Sequence, residues 1–272
     1  MDPNPTTECG ECYALPAAAN YLSPGLAHGG HDGKRAIELK FLLPWDLANR
    51  LRERARNELQ TDPFADRKTG RYKVCSLYLD TVAFDIFHRT SVTDGNKFRF
   101  RRYNEDQELF LERKRRQKGV VTKHRDLIPL DALDQSSTLS SPIWDEAQSF
   151  GLVPSCAVEY EREAYISEQT EPPFRVTIDN RLGTHRFHRA DWLELSAFLH
   201  RNRTEGELPS TDCIQPMVPG YSVVEFKFTD ALPVHLKRWV EDFQIAPVKF
   251  SKYRTALSDP NEWVQTRDGA VA

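Results

Sequence analysis

The sequence predicts an α+β protein that is mainly antiparallel β, and three observations carry the prediction. Apolar and polar residues alternate with period two through most of the middle of the chain, as successive strand side chains point to opposite faces. The alternating runs are short and separated by turn residues, Asp94-Gly95-Asn96, Asn104-Glu105-Asp106 and Lys118-Gly119. Helical spacing is confined to three segments.

Taken in order, residues 1–33 hold Pro, Gly, Ala and Thr without a sustained period and read as a flexible N-terminal segment. One domain over residues 34–260 follows, then a short flexible tail, 261–272. Strands are expected near 36–42, 74–79, 97–103, 108–115, 120–127, 157–166, 174–179 and 222–228; eight are enough to close a small barrel. The first helix runs from Pro44 to Leu59, where Leu47, Leu51, Ala55 and Leu59 recur every fourth residue and arginines fill the opposite face. Ser141 and Pro142 stand as N-cap and first helical residue ahead of Ile143, Trp144, Ala147 and Phe150. Pro233 likewise opens a segment with Leu236, Trp239, Val240 and Phe243. The polar stretch from Arg201 to Gly220 reads as a long loop.

The 272 residues, 39 % hydrophobic and 28 % charged, suffice for a substantial core. A formal net charge of -3 argues against a nucleic-acid coat, whose surface needs a basic excess. No apolar run is long enough for a membrane span and no basic start precedes an apolar stretch, so a cytoplasmic protein without direct membrane insertion is expected. Five cysteines read as reduced thiols, and the lone Cys9/Cys12 pair as incidental rather than a metal or redox site.

The alternation also sorts charge. Phe98 and Phe100 oppose Lys97, Arg99 and Arg101; Val224, Phe226 and Phe228 oppose Glu225 and Lys227; Ile37, Leu39 and Phe41 oppose Glu38 and Lys40. From Lys97 to Arg125 there are eleven Lys and Arg against four Asp and Glu, a local +7 in a chain of net -3. Like charges on neighbouring strands repel, so an anionic partner is the natural explanation. The competing account is a solvated face of long side chains paired with acids from elsewhere. A single-strand nucleic-acid binder would need exposed aromatics among the cations, and Phe98 and Phe100 lie on the apolar face instead.

Read in order, Lys97-Phe98-Arg99-Phe100-Arg101-Arg102-Tyr103, Phe110-Leu111-Glu112-Arg113-Lys114, Lys123-His124-Arg125, Tyr160-Glu161-Arg162, Arg175-Val176-Thr177-Ile178-Asp179, Val224-Glu225-Phe226-Lys227 and Lys249-Phe250-Ser251-Lys252-Tyr253-Arg254 make the chain resemble the VTC domain of the triphosphate tunnel metalloenzymes over about residues 35–258. None of these motifs is specific alone; their order and spacing carry the resemblance. It implies an eight-stranded antiparallel tunnel-like barrel with a few flanking helices. It also implies a polyphosphate polymerase, an ATP:polyphosphate phosphotransferase using Mn2+ or Mg2+, with ATP and inorganic polyphosphate as partners.

Matched motif by motif, Arg99, Arg101, Lys114, Arg162 and Lys252 are implied as catalytic and Glu225 as the metal ligand. Lys123, and near the tunnel mouth Lys40, are implied to bind substrate, as are Arg125, Arg175, Lys227, Lys249, Ser251 and Arg254 of the same motifs. The residue types suit these tasks: arginine's planar fork grips phosphate bidentately, lysine supplies a point charge, and a hard divalent ion needs only one or two carboxylates beside phosphate oxygens. The acceptor is an ionised phosphate, so no strong general base is required, and His124, His185 and His188 read as surface or packing residues. Ser251 suits either a phosphate contact or a turn.

Two alternatives stay open. Inorganic triphosphatases of the same fold begin with an alternating Glu-x-Glu-x-Lys, and here Ala36 replaces the first acid before Glu38 and Lys40. A non-catalytic polyphosphate-binding module would keep the tunnel without turnover. Unlike the fungal proteins of the family, the chain shows no helical phosphate-sensing domain and no membrane spans, which leaves a membrane-protein partner undetermined.

Overall fold

Period-two alternation becomes ten strands. A computed structural model describes residues 36–117, 120–133, 139–167, 173–187, 192–201 and 214–258. Residues 1–33 with Cys9 and Cys12, the 261–272 tail, the Lys118-Gly119 turn, His188 and most of the 201–220 stretch lie outside them. The strands are β1 (Ala36–Pro44), β2 (Gln60–Thr61), β3 (Arg71–Asp80), β4 (Asn96–Tyr103), β5 (Glu108–Gln117), β6 (Val120–Pro129), β7 (Val153–Ser167), β8 (Phe174–Arg186), β9 (Gln215–Pro216) and β10 (Tyr221–Thr229).

Eight of them form one antiparallel path, β1-β10-β8-β7-β3-β4-β5-β6, with two-residue β2 and β9 added to β7 and β8. The path ends at β1 and β6, which are not paired with each other, so the tunnel-like sheet stays open at this seam. Glu38 on β1 nevertheless feels the charge of Lys114 on β5, so the two flanks approach one another. Lys40 lies on one flank and Lys114 and Lys123 on the other; like charges facing across a seam oppose its closure.

The apolar parity of the strands is covered by helices. Helix α1 (Trp45–Glu58) buries Ala48, Leu51 and Ala55 in a cluster with Phe41, Val176, Ile178 and Phe226, to which Leu236 and Trp239 of α5 (Val234–Asp242) belong. Each fully buried large apolar side chain is worth about 1.5–3 kcal/mol over its exposed state, so the helices lock the outer face. On the other half, Phe100 packs 5.8 Å from Trp144 of α3 (Pro142–Ser149) and 6.4 Å from Trp192 of α4 (Trp192–Arg201). As the spacing predicts, Ser141 caps α3 by accepting from the Ile143 and Trp144 amides, with Pro142 opening the helix. Pro233 is the N-cap of α5 rather than its first helical residue.

Three helices escape the sequence pattern. α2 (Asp85–His88) and α6 (Lys252–Leu257) hold four and six residues, too few for a 3.6-residue period to show. In α4 the spacing of Leu195, Phe198 and Leu199 is helical, but the helix runs into the polar stretch that reads as loop. α6 packs on β7 and β8. Among the described residues no helix is long and apolar enough to cross a membrane.

Candidate active site

Register decides which charges meet. Directly paired residues of neighbouring strands project from the same face, and the ladder pairs Lys40 with Glu225, Glu225 with Thr177, Asp179 with Arg162, Ser76 with Arg101, Tyr78 with Arg99, Arg99 with Glu112, and Glu112 with Arg125. One inner face therefore carries Lys40, Lys114, Lys123, Arg99, Arg101, Arg125, Arg162, Arg175, Lys227 and Glu225 from seven strands. Lys252 joins them from α6. The charges are less one-sided than the composition of residues 97–125 predicts. Arg113 and Arg115 face outward to Glu146 and Asp94, and Arg102 is buried against the carbonyls of Asp106 and Leu199.

Two networks organise the inner face. In the first, the Glu112 carboxylate accepts from Arg99 Nε and Nη2 at 2.7 and 2.6 Å, from Lys123 Nζ at 2.9 Å and from Arg125 Nη2 at 2.7 Å, with Arg101 Nη1 at 3.9 Å. Burial alone would raise the Glu112 carboxyl, but these four cations hold it well below the usual carboxylate range.

In the second, Arg162 grips buried Asp179 bidentately through one edge of its fork, Nε at 2.6 Å and Nη2 at 2.7 Å. Lys252 Nζ lies 2.6 Å from Asp179 and 3.1 Å from Glu225. Glu225 also meets Lys40 at 3.2 Å and Lys227 at 3.4 Å, and Lys40 reaches on to Glu38 at 2.7 Å. Burial opposes the Glu225 charge, yet Lys252, Lys40 and Lys227 hold its carboxyl well down. Glu38 falls to about 2: burial and Glu225 push it up, and Lys227, Lys40 and Lys114 outweigh them. The Tyr160 ring lies under both Arg162, at 5.2 Å, and the Lys252 ammonium, at 4.9 Å. Among the described residues the buried hydroxyls of Tyr160 and Thr177 have no hydrogen-bond partner.

α6 is fixed from its other side. Ser251 caps it by accepting from the Arg254 amide; Tyr253 donates its hydroxyl to buried Asp80; and Arg254 stacks over Phe87 at 5.1 Å while donating to the Phe87 carbonyl. Ser251 thus serves the turn, Arg254 anchors the helix, and Lys249 is exposed in the segment before it. Arg175 is engaged by Asp62 and the Tyr72 hydroxyl. His124 is exposed, and His185 stacks on Phe198 beside Glu194.

Lys97 and Lys114 have no carboxylate partner among the described residues. Burial, with Arg89, Lys114, Arg254 and Lys40 nearby, pushes Lys97 down to about 8. Burial also lowers Lys123, to about 7, with Arg99, Arg101 and Arg125 overriding the pull of Glu112. Sequence reasoning assigned no role to Lys97, Glu112, Asp179, Thr177 or Tyr160. Parity was the available signal: Lys97 lies two residues from Arg99, Glu112 two from Lys114, and Asp179 four from Arg175.

These lysines yield a pH prediction. In the free protein at pH 8 the lowered Lys123 and Lys97 are only partly charged; a polyanion beside them favours the charged form. Binding of inorganic triphosphate at pH 8 is therefore expected to take up roughly one proton and to weaken as pH rises from 7 to 9. Calorimetry in two buffers of different ionisation heat measures the uptake, and none at all contradicts this account. In folding the sign is the reverse of a usual lysine pair: between about pH 7 and 10 the unfolded chain binds more protons than the folded one, so these two groups favour folding more as pH rises.

An antiparallel sheet curved around such a face defines a protein built to hold a polyanion. The chain belongs to the VTC domain family, whose model matches residues 35–259, and that family ties it to polyphosphate or triphosphate handling. No curated protein matches it in sequence. Among solved structures it is similar to a Bacillus halodurans protein described as an adenylate cyclase, at 14 % identity and TM-score 0.47, over 80 % of this chain and 95 % of that one. It is also similar to HpAC1 of Hippeastrum, described as an adenylyl cyclase with dominant triphosphatase activity, at 14 % identity and TM-score 0.44, over 88 % and 98 % of the two chains. A Vibrio parahaemolyticus protein described as an adenylate cyclase is similar at 11 % identity and TM-score 0.43, over 82 % and 98 %.

Proposed function

We propose that the chain is a polyphosphate polymerase that transfers the terminal phosphate of ATP onto the end of a growing polyphosphate chain. The observation that carries this reading is the convergence of Arg99, Arg101, Lys114, Lys123, Arg162 and Lys252, from separate elements, on one face. In the transfer, the bond between the γ-phosphorus and its bridging oxygen breaks and a terminal oxygen of the acceptor forms the new one; ADP leaves with the electron pair. Such a reaction asks the protein chiefly to position phosphates and to neutralise developing charge. Arg99 and Arg101 supply planar donors, and among the described residues Lys114 and Lys97 make no ion pair and the Thr177 and Tyr160 hydroxyls have no hydrogen-bond partner. The acceptor arrives ionised, so no side chain has to remove a proton.

A divalent cation, Mn2+ or Mg2+, fits the residues present. Glu225 and Glu38 lie on either side of Lys40, and among the described residues no three His, Cys, Asp or Glu side chains could hold an ion unaided. That donor set suits a hard ion that takes one or two carboxylates and completes its shell with phosphate oxygens and water. When bound, it would supply Lewis-acid charge at the transferred phosphate. The same two carboxylates favour a second reading, hydrolysis of triphosphate or polyphosphate, in which water accepts the phosphate.

Incubating the protein with ATP and manganese separates the readings. Long polyphosphate with ADP supports the polymerase and free phosphate the hydrolase; tight binding without either product identifies a binding module. Chelation of the metal is expected to stop whichever turnover is seen. A cytoplasmic site of action, where ATP is supplied, is part of the proposal.

A further inference from the structure

Glu112 is a carboxylate of the inner face that stands among phosphate-binding candidates without a place in the metal or lysine chain around Glu225. It sits at the centre of β5, with Arg99 directly opposite on β4 and Arg125 directly opposite on β6. Its side chain is 2 % exposed. Oε2 takes Arg99, with Arg101 further out, and Oε1 takes Lys123 and Arg125. Two anionic oxygens thus collect donors from the two neighbouring strands, β4 and β6, as a phosphate would.

We propose that Glu112 is a built-in counter-anion that competes with phosphate for these cations and so keeps the tunnel from holding polyphosphate too tightly to release it. Arg99 shows the competition. Its Nε and Nη2, the edge that would grip a phosphate bidentately, are both on Glu112, and its Nη1 donates to the Tyr78 hydroxyl at 3.3 Å. A phosphate reaches that edge only by displacing the carboxylate or by sharing its donors, with two anions then repelling at close range. Arg162 is different: its partner Asp179 also anchors Lys252, so that pair is a fixed strut. Before substrate arrives, Glu112 relieves repulsion among four cations on adjacent strands. Afterwards it weakens ground-state binding, which otherwise lowers KM without raising turnover.

The inference rests on the polyphosphate reading of this face, and the test separates the two. Calorimetric titration of the full chain with inorganic triphosphate, in fixed salt, compares wild type, Glu112→Gln, Glu112→Asp and Glu163→Gln. Glu163 is buried on the outer face among Arg52, Arg56 and Arg71 and serves as the control for loss of a buried acid. Glu112→Gln is expected to bind triphosphate about tenfold tighter, and Glu112→Asp, whose shorter side chain withdraws from the donors, several-fold tighter. In turnover, KM and kcat are expected to fall together in both, because release becomes slow. Glu163→Gln is expected to lower the unfolding temperature without tightening binding. Unchanged or weaker binding in either Glu112 variant overturns the proposal, and if Glu112→Gln fails to fold, Glu112→Asp decides alone. A wild type that does not bind triphosphate removes the polyphosphate reading itself.

Discussion

Lys252→Ala and Arg101→Ala are each expected to lower turnover of ATP by at least about a hundredfold, the cost of losing one preorganised charge at a transferring phosphate, while the protein stays folded. The structure explains why folding survives. Without Lys252, Asp179 keeps its bidentate Arg162, and Glu225 keeps Lys40 and Lys227. α6 remains tied down by Tyr253 on Asp80 and Arg254 on the Phe87 carbonyl. Without Arg101, Glu112 keeps Arg99, Lys123 and Arg125. Breaking a buried ion pair outright costs about 3–5 kcal/mol, and the retained partners place both variants below that range. Product analysis with ATP and manganese, beside a thermal melt, checks both halves. Full activity in both variants would remove the assignment of the inner face as the reaction site.

The largest loss of stability is expected from Asp179→Asn. Arg162 is buried, and both of its bonding donors, Nε and Nη2, end on Asp179. An amide leaves that guanidinium without its carboxylate and the Lys252 ammonium with Glu225 alone, which costs about 3–5 kcal/mol and lowers the unfolding temperature by roughly 10 °C for a chain of this size. The pH dependence carries the same signature. Burial would raise Asp179, but Arg162 and Lys252 hold it below its ordinary value, so its contribution is complete above the unfolded carboxylate range and is lost as pH falls through the lower folded value. The variant is expected to lack that share of the acid destabilisation, and an acid melt superimposable on wild type would contradict the strut role.

The eight-stranded path was legible because most strands have one apolar face and one polar or charged face, and the pleat writes that difference into every second residue. Phe98 and Phe100 had to lie opposite Arg99 and Arg101, and they do. The capped start of α3 was equally legible, since Ser141 and Pro142 act within one turn. The four-residue α2 and six-residue α6 were not, because neither is long enough to repeat a helical period. Nor was the pairing of charge. Residues 97–125 look like a single cationic run, but parity sends Arg113 and Arg115 outward to Glu146 and Asp94.

By itself, then, the amino-acid order determined strand parity, the apolar faces and the set of cations able to share a surface, because these follow from local geometry. Only the tertiary structure decided that Lys252 would close on Asp179 and Glu225 across more than twenty residues of chain, that Glu112 would gather four cations, and that the seam between β1 and β6 would stay open. Those outcomes depend on register between distant strands and on which charges burial forces together, and Coulomb's law acts on distances in space that sequence separation does not encode.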